Sequence, residues 1–455
     1  MNNKRNRKLL LAVLCSCAIA AMGQTATDTL RLSLDDCIRI ALNENPTIKV
    51  AEMEISRVDY SKKEVLGQLL PTVTFSGSYQ RTLAKQTMYM DTEQGTAKFR
   101  VGRDNAWNTG FNASMPLVMP TLWKSIKLSD TQILQNVEAA RSSRLSLVNQ
   151  VKNAYYALLL AIDSKKVIEE NHATAKINAE IFSNKFKLGT ASEYDVLRAN
   201  VAVTNLEPSI LEADNSINQC LLQLKVLMGM DVRENVAPGL TLEQYKEEML
   251  RYAPIDTTLA MNSDLRKMDL QTEYLRKALD VQKAAWYPTL SGSVNYMWNS
   301  MSNGNPFQNF QWSGYSTAGL TLSFPLLTGG QRYYKQKQAE VSLREMKWQR
   351  ENLERSLGMQ VKTQLDHISK SLAQISSNEG GVKQAEKAKD IMQKSFKIGA
   401  ASFIQLRDTE DALMSARLAY YQAIYDYLVA QSNLELVLGK APIDKYVTTT
   451  NNQTK

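Results

Sequence analysis

The chain has 455 residues, of which 22% are charged and 44% are hydrophobic. These proportions fit a folded protein better than a disordered chain. The formal net charge is +8, but four cations stand together within the first eight residues, and without them the excess is +4. So small an excess gives little support for nucleic-acid binding, and we expect none.

Residues 1–23 predict a Sec signal peptide. Basic residues at positions 4–8 precede an apolar segment, 9–22, and the small residues in Ala21-Met22-Gly23 predict cleavage before Gln24. The apolar segment is too short to span a bilayer as a helix. Acylation of Cys17, which would give a lipoprotein, is the alternative, although the residues before Cys17 fit an acylation site less well. Both interpretations predict export.

Two cysteines remain after the signal peptide, Cys37 and Cys220. Their spacing matches no metal site, and they could form one long-range disulfide or two buried free thiols. We expect neither a metal nor a cofactor. After residue 24 no apolar run approaches the ~20 residues of a membrane-spanning helix. The exported chain is therefore soluble, lipid-anchored or a β-barrel.

The sequence contains two internal repeats, which we place at 24–229 and 261–439, with a linker at 230–260 and a tail at 440–455. Residues 186–192, Phe-Lys-Leu-Gly-Thr-Ala-Ser, recur at 396–402 as Phe-Lys-Ile-Gly-Ala-Ala-Ser, with five identities. The same offset of 210 residues relates Gly229 to Gly439. Ordered similarities of this kind indicate a duplication.

Each repeat predicts a helix, two strands, a very long helix and a returning helix, with prolines at 71, 116, 288 and 325 marking the changes between helix and strand. The first repeat has a helix at 33–67, strands at about 72–82 and 107–117, and helices at 121–187 and 192–228. The second has a helix at 262–287, strands at about 289–298 and 316–325, and helices at 331–396 and 402–438. The loops at about 83–106 and 302–315 are predicted to face outside.

The predicted helix 121–187 has 67 residues and contains neither Gly nor Pro. At ~1.5 Å per residue it would be about 100 Å long. Apolar residues recur along both long helices at steps of three and four, so each must pack on others along one face. These residues are Val148, Val151, Tyr155, Leu158, Ile162, Leu357, Val361, Leu365, Ile368, Leu372 and Ile375. Taken by themselves, the helices fit an ordinary periplasmic coiled coil equally well.

The repeated heptapeptides predict tight tips between a long helix and a returning helix. Gly189 and Gly399 stand where a helix end needs a residue that tolerates a left-handed backbone. Ser192 and Ser402 are good N-caps for the helices that follow. Pro208 lies inside the first returning helix and predicts a bend there.

The four strand segments alternate between apolar and small polar residues, and no charge interrupts either face. The apolar faces carry Val73, Phe75, Tyr79, Trp107, Phe111, Met115, Leu290, Val294, Tyr296, Trp298, Leu320, Leu322 and Phe324. This pattern is typical of membrane β-strands, with aromatic residues near the strand ends. A soluble four-stranded sheet is the alternative. Four strands cannot close a barrel and an open edge cannot exist in hydrocarbon, so two or more copies are implied.

These features together resemble the TolC-like outer-membrane efflux protein family. The resemblance runs from Leu32 to about Leu438 and rests on the duplicated layout, the strand pairs flanked by proline, and Phe-Lys-x-Gly-x-x-Ser at both tips. It implies a mixed α/β fold in a homotrimer. The trimer would form a 12-stranded barrel in the lipid of the Gram-negative outer membrane, continuous with a long periplasmic α-helical barrel.

The resemblance implies that the chain is a channel, the exit duct of a tripartite efflux or type I secretion system. A periplasmic adaptor (membrane fusion protein) would dock on the tips, and an inner-membrane transporter of the RND, ABC or MFS class would feed it. The docking residues would be Phe186, Lys187, Gly189, Ser192, Phe396, Lys397, Gly399 and Ser402.

The resemblance also implies a periplasmic gate. In relatives, two aspartates one helical turn apart narrow the pore after the second tip, and the matching residues here are Gln405 and Asp408. Half of that acidic ring is therefore retained, and Asp195 of the first repeat could share the role. Ala401 replaces an arginine that helps latch some relatives shut. We expect a gate that is less acidic and differently latched.

Two other functions compete with a channel. An enzyme is disfavoured because the mature chain has only His172 and His367 and no recognisable nucleophile, phosphate-binding or metal motif. A periplasmic coiled-coil adaptor also has long helical hairpins. An adaptor, however, needs soluble β domains, whereas these strands occur in pairs with membrane-type faces.

Overall fold

The computed structural model describes residues 30–92, 95–249, 257–308, 310–440 and 443. The predicted signal peptide, with Cys17, and nearly all of the predicted tail lie outside the described residues. The chain divides into two compact units. We call residues 50–142 and 263–356 the strand unit, and the remaining described residues the hairpin unit.

The elements follow the order expected of two repeats. In the first repeat they are β1 Leu30–Leu32, α1 Leu34–Glu44, α2 Pro46–Gly67, β2 Thr72–Arg81, β3 Gln86–Thr92, β4 Gly95–Val101, β5 Asn105–Val118, α3 Pro120–Lys187, α4 Glu193–Thr204 and α5 Glu207–Met228. Between the repeats lie β6 Val236–Pro238, α6 Leu242–Met249 and a 3-10 turn, Leu259–Met261. The second repeat has α7 Ser263–Ala284, β7 Thr289–Ser302, β8 Ser313–Ser323, α8 Gln331–Lys397 and α9 Phe403–Leu438.

Two helices that we predicted, the second with a bend at Pro208, are each divided into two. The predicted helix 33–67 is interrupted at Asn45, whose extended backbone ends α1 and whose side-chain oxygen accepts from the Thr47 N–H, 2.8 Å away. Pro46 then begins α2, at a position where a missing N–H is tolerated. The predicted helix 192–228 ends at Thr204 and resumes at Glu207, with Pro208 in the new first turn. A proline thus causes each break.

The two long helices have 68 and 67 residues. In the hairpin unit the apolar seam of α3 is buried at Val151, Tyr155 and Leu158. On α8 the seam is buried at Val361, but Leu372, which we assigned to it, is exposed. Amphipathic packing therefore accounts for most of the three-and-four pattern.

The segment predicted as a linker, 230–260, contributes structure in the hairpin unit. Its strand β6 pairs in parallel with β1, Leu30 opposite Val236. Helix α6 is capped by Asp163 of α3, whose carboxylate accepts from the Leu242 N–H at 3.1 Å. Cys37 is buried, Cys220 is partly buried, and both thiols are free, so the two do not form the disulfide that we left open.

The strand unit contains a four-stranded antiparallel sheet in the order β2-β5-β7-β8. The register sets Phe75 opposite Phe111, and Phe111 opposite Tyr296, so that these aromatic side chains share one face. The same face carries Val73, Tyr79, Trp107, Ala113, Met115, Leu290, Val294, Trp298, Ala318, Leu320 and Leu322. The opposite face carries mainly Ser, Thr and Asn. Period-two alternation therefore sorts apolar from polar side chains across all four strands.

Two details of the strand unit differ from our expectations. The predicted polar loop 83–106 contains the antiparallel hairpin β3–β4. Its short alternation was hidden by charged residues such as Asp91, Lys98 and Arg100. Pro116, expected to end a strand, lies inside β5 next to a shift of register between Pro116 and Val118, where a bulge accommodates the missing N–H.

None of the helices in the described ranges combines the length and the apolar character needed to cross a membrane.

Each repeat has the same contact in the hairpin unit, which we call the asparagine joint: a side-chain amide bound near the end of a returning helix. Asn45 donates through Nδ2 to the Leu227 carbonyl at 2.8 Å, and Asn262 donates through Nδ2 to the Val437 carbonyl at 2.6 Å. Each acceptor lies just before a helix-ending glycine with positive φ, 70° at Gly229 and 68° at Gly439. Asn45, just before α2, thus fastens the end of α5, and Asn262, just before α7, fastens the end of α9.

Gly439→Ala should destabilise the protein more than Gly399→Ala. Both glycines have left-handed backbones, φ 68° and 79°, which cost an alanine about 1 kcal/mol. A Cβ at Gly439 would also overlap the Met261 carbonyl oxygen, whereas nothing lies within 4 Å of one at Gly399. Overpacking against backbone adds about 1–3 kcal/mol. Thermal unfolding followed by circular dichroism should show the larger loss for Gly439→Ala, and equal losses would contradict the joint.

Candidate functional site

The two predicted tips have the same backbone geometry. At the first, the Gly189 N–H donates to the Phe186 carbonyl and the Thr190 N–H to the Lys185 carbonyl, both at 2.9 Å. At the second, Gly399 and Ala400 donate to Phe396 and Ser395 at 3.1 and 2.9 Å. This pair of bonds is the Schellman motif, which requires a left-handed residue at the glycine.

Each tip is followed by a capping box. The Ser192 hydroxyl accepts from the Asp195 N–H at 3.2 Å, and the Asp195 carboxylate accepts from the Ser192 N–H at 3.2 Å. Ser402 and Gln405 make the same pair of bonds, at 3.3 and 2.9 Å. The first turns of α4 and α9 are therefore fixed by their own side chains.

An aromatic cluster joins the two tips inside the hairpin unit. The Phe182 ring lies 4.7 Å from that of Phe403 and 5.8 Å from that of Phe396, centre to centre. The Lys185 ammonium lies 5.0 Å from the centre of the Phe396 ring. Phe182 and Phe403 were absent from our candidates because the repeat comparison favours residues that both tips share, and neither has an aromatic counterpart in the other repeat.

The outer surface of the tips is apolar. Leu188 and Ile398 are 78% and 82% exposed, and both occupy the variable position of the Phe-Lys-x-Gly motif. Phe186 is also exposed, whereas Phe396 is half-buried in the aromatic cluster. Lys187 and Lys397 are exposed beside them. Two large apolar side chains flanked by lysines form a surface suited to contact with another protein.

The three candidate gate residues differ in their surroundings. Asp195 and Gln405 are engaged in the capping boxes, Asp195 also accepting from the Ser192 hydroxyl at 2.6 Å. Asp408 is exposed on α9 and has no hydrogen bond or ion pair with any residue that the structure describes. The structure places Gln405 and Asp408 on one helix, and Asp195 on another.

Above the second tip, α9 carries a buried carboxylate. Glu410 is 3% exposed and accepts from the Asn178 amide of α3 at 3.2 Å. Burial raises the pKa of Glu410, and the amide of Asn178 and the charges of Lys389 and Arg407 oppose the rise. Burial with so few hydrogen bonds to the charged form makes ionisation of this carboxyl group less favourable.

One ion-pair bridge connects three helices of the hairpin unit. Arg417 of α9 contacts Glu170 of α3 at 2.7 Å and Glu386 of α8 at 2.8 Å. Hydrogen bonding to Glu386 and the charges of both carboxylates raise the pKa of Arg417. Because the guanidinium is held from two sides, this bridge resists sliding of the helices past one another.

No group of His, Cys, Asp and Glu suited to holding a metal ion occurs among the residues with described coordinates.

Comparison with known proteins identifies a family. A family model described as "Outer membrane efflux protein" matches residues 37–230 and 255–440. The alkaline protease secretion protein AprF of Pseudomonas aeruginosa is 24% identical over 419 residues, covering 90% of this chain and 85% of AprF. The outer membrane protein TolC of Escherichia coli is 22% identical over 347 residues, covering 74% of this chain and 70% of TolC.

Two solved structures have a similar fold. CusC superposes with a TM-score of 0.74 at 17% identity, covering 92% of this chain and 96% of the CusC chain. The CmeC outer membrane channel of Campylobacter jejuni gives a TM-score of 0.72 at 16% identity, covering 90% of this chain and 85% of CmeC. At these identities the likeness concerns the fold.

The buried carboxylate predicts a pH dependence of stability. The folded protein holds the Glu410 proton more tightly than the unfolded chain, whose pKa is near the ordinary value of 4.5. The contribution of Glu410 to stability is therefore full below about pH 4.5 and falls as the pH rises through the raised folded pKa. Glu410→Gln should flatten this fall above pH 4.5 in thermal unfolding. Asp408→Asn, at an exposed position, is the control, and an unchanged slope in Glu410→Gln would refute the assignment.

Proposed function

Because the chain belongs to the outer membrane efflux protein family, we propose that it works as the exit duct of a three-component efflux or secretion system. It is an outer-membrane channel with a large periplasmic part, which confirms what the family resemblance in the sequence implied. The alternative of a periplasmic adaptor is wrong, since the relatives across this family are outer-membrane channels. The family is one of channels and not of enzymes.

The difference in polarity between the two faces of the sheet is the main observation that supports the proposed duct. One face of β2-β5-β7-β8 is apolar and the other carries small uncharged polar residues, as expected of strands between lipid and a water-filled lumen. Within the described residues β2 and β8 each pair with a single strand of the sheet. Since the strands alternate in direction, β8 of one copy can pair antiparallel with β2 of the next. Three copies would close a twelve-stranded barrel without an open edge.

The tips are the proposed docking site for a periplasmic adaptor. Exposed Leu188 and Ile398 supply apolar contact area, and Lys187 and Lys397 supply charge at the rim. Gly189 and Gly399 keep the turns tight, so both apolar side chains project from fixed positions. The adaptor would connect the duct to an inner-membrane transporter that supplies the energy for transport.

Asp408 is the proposed charge of the periplasmic gate. Its carboxylate is exposed, whereas the Asp195 carboxylate is engaged at the start of its own helix. Gln405 would be the neutral neighbour one turn before it. Three copies of Asp408 would form a ring that attracts cations and repels anions at the entrance. Opening requires the helices near this ring to shift, against the Arg417 bridge.

Single-particle imaging tests the assembly. The full chain, extracted from outer membranes in detergent, should give a threefold particle in which twelve strands close around a pore. The apolar face of the sheet should meet the detergent belt. A monomeric particle, or a particle whose sheet lies outside the detergent belt, would contradict the proposed duct.

Ion selectivity tests the gate. In planar bilayers under a salt gradient, Asp408→Asn should move the reversal potential toward zero, because the ring loses its charge. Asp195→Asn is the matched control. It should leave the reversal potential unchanged, and because an amide can also accept from the Ser192 N–H, it should keep the α4 cap and the thermal midpoint. A larger shift with Asp195→Asn would transfer the gate to the first repeat.

A further inference from the structure

One face of the hairpin β3–β4 is apolar and exposed. The register sets Met88 opposite Phe99 and Met90 opposite Ala97, and alternate residues along each strand lie on the same side. Met88, Met90, Phe99 and Val101 are each about half exposed or more. We call these four side chains the hairpin face. A cluster of large apolar side chains left in contact with water is typical of an interaction surface.

The opposite face of the same hairpin is polar. Tyr89 lies opposite Lys98, and Thr87 lies opposite Arg100. The Lys98 ammonium lies 5.9 Å from the centre of the Tyr89 ring, within the range of a cation–π contact. Because only one of its two faces suits water, the hairpin is built to be covered on the other.

The base of the hairpin is fixed to the sheet by its own bonds. The Thr82 N–H donates to the Asp104 carbonyl at 2.8 Å, and the Lys85 ammonium contacts the Asp104 carboxylate at 2.9 Å. Lys85 also donates to the side-chain oxygen of Asn303, the first residue after β7, at 3.2 Å. A surface held in place before contact loses less conformational freedom on binding, which favours association.

A second exposed apolar surface lies between β7 and β8. Residues 303–312 include no charged residue. The Phe310 ring lies 5.7 Å from that of Trp107, and the Trp312 ring stacks on Phe310, nearly parallel at 9°. Phe307, Phe310 and Trp312 nevertheless remain exposed, Phe307 by 72%. We call these three rings the aromatic segment. Methionine side chains make favourable contacts with aromatic rings, so the two surfaces suit one another.

The hairpin and the aromatic segment emerge from the same end of the sheet, at opposite edges. Strand β2 ends at Arg81, which lies level with Ser302 at the end of β7 through Asn105 of β5. Strand β8 begins at Ser313, opposite Asn299 of β7. When β8 of one copy pairs with β2 of the next, the two strands lie about 4.8 Å apart. The hairpin then leaves this junction on one side, and the aromatic segment of the neighbouring copy leaves it on the other.

Leu83 adds apolar surface at the junction itself. It lies between β2 and β3, two residues after the end of β2, and is 94% exposed. A leucine in this position has no contact of consequence within one copy. Beside β8 of a second copy it would lie next to the residues that precede Ser313. The apolar surface is therefore continuous from the edge strand to the hairpin face.

We propose that the hairpin face of one copy docks on the aromatic segment of the next copy and fastens the outer ends of the assembly. The inference rests on the proposed function, because it requires β8 of one copy to pair with β2 of another. A second copy is favoured over lipid or a different protein, since both surfaces belong to this chain and strand pairing brings them to the two sides of one junction. In a closed ring of three, the contact would be made three times.

Subunit exchange tests the proposal. Two preparations of the full chain with different affinity tags are mixed in detergent, and mixed trimers are counted by native mass spectrometry. Met88→Ser combined with Phe99→Ser should speed the exchange about tenfold or more, because loss of apolar contact acts mainly on the dissociation rate. Tyr89→Ser combined with Lys98→Ser is the matched control. It changes the adjacent cross-strand pair on the polar face and should leave the rate unchanged.

Photo-crosslinking identifies the partner while the rest of the hairpin face is kept. Phe99→p-benzoylphenylalanine should give a product of twice the mass of the chain, with the link in residues 303–312. A product with the mass of one chain, or attachment to lipid or to a different protein instead, would overturn the proposal. Exchange rates that are equal in the two double variants would overturn it as well.

Imaging and pore conductance of the same preparations separate this contact from the duct. Absence of a threefold pore in the unaltered chain refutes the duct, and the hairpin contact with it. An intact threefold pore whose exchange rate does not respond to Met88→Ser with Phe99→Ser refutes only the hairpin contact.

Discussion

The need to pair backbone N–H and C=O groups is the constraint on which the rest of the molecule depends. The apolar face of the sheet belongs in hydrocarbon, where each unpaired backbone group costs several kcal/mol. Yet β2 and β8 have one sheet neighbour each in the described chain. A single copy therefore cannot satisfy both its side chains and its backbone. Assembly with further copies is a consequence of this conflict, and a channel is a consequence of the closed barrel that resolves it.

The duplication supplies the same joint twice. Asn45 reaches the Leu227 carbonyl, and Asn262 reaches the Val437 carbonyl, each beside a glycine with a left-handed backbone. At Gly229 the close approach leaves no room for a side chain, since a Cβ would lie 2.8 Å from the Glu44 carbonyl oxygen. A helix end whose carbonyls are satisfied by a neighbouring chain can be buried without penalty. This explains why the repeat retains a glycine where an ordinary helix end would accept other residues.

Periodicity and turn residues predict the local elements well but not the contacts between them. The strands and long helices follow from alternation, from three-and-four spacing and from prolines and glycines, all of which are local. The hairpin β3–β4 was missed because its alternation is short and interrupted by charge. The repeat comparison could not find the cluster of Phe182, Phe396 and Phe403, since Phe182 and Phe403 have no aromatic counterpart in the other repeat. The Asn45 joint spans 182 residues and leaves no local signal.

The two tips have the same backbone geometry but differ in charge, and this difference bears on the proposed gate. An acid at 195 and an amide at 405 both serve the capping box, because either side chain can accept from the N-cap N–H. The cap therefore does not require a charge at position 405, so the neutral Gln405 can complete it. The polar face of the sheet is also uncharged throughout its four strands. In the proposed barrel this face would line the lumen mainly with Ser, Thr and Asn side chains, so the proposed discrimination by charge would fall to the periplasmic helices, where Asp408 is exposed.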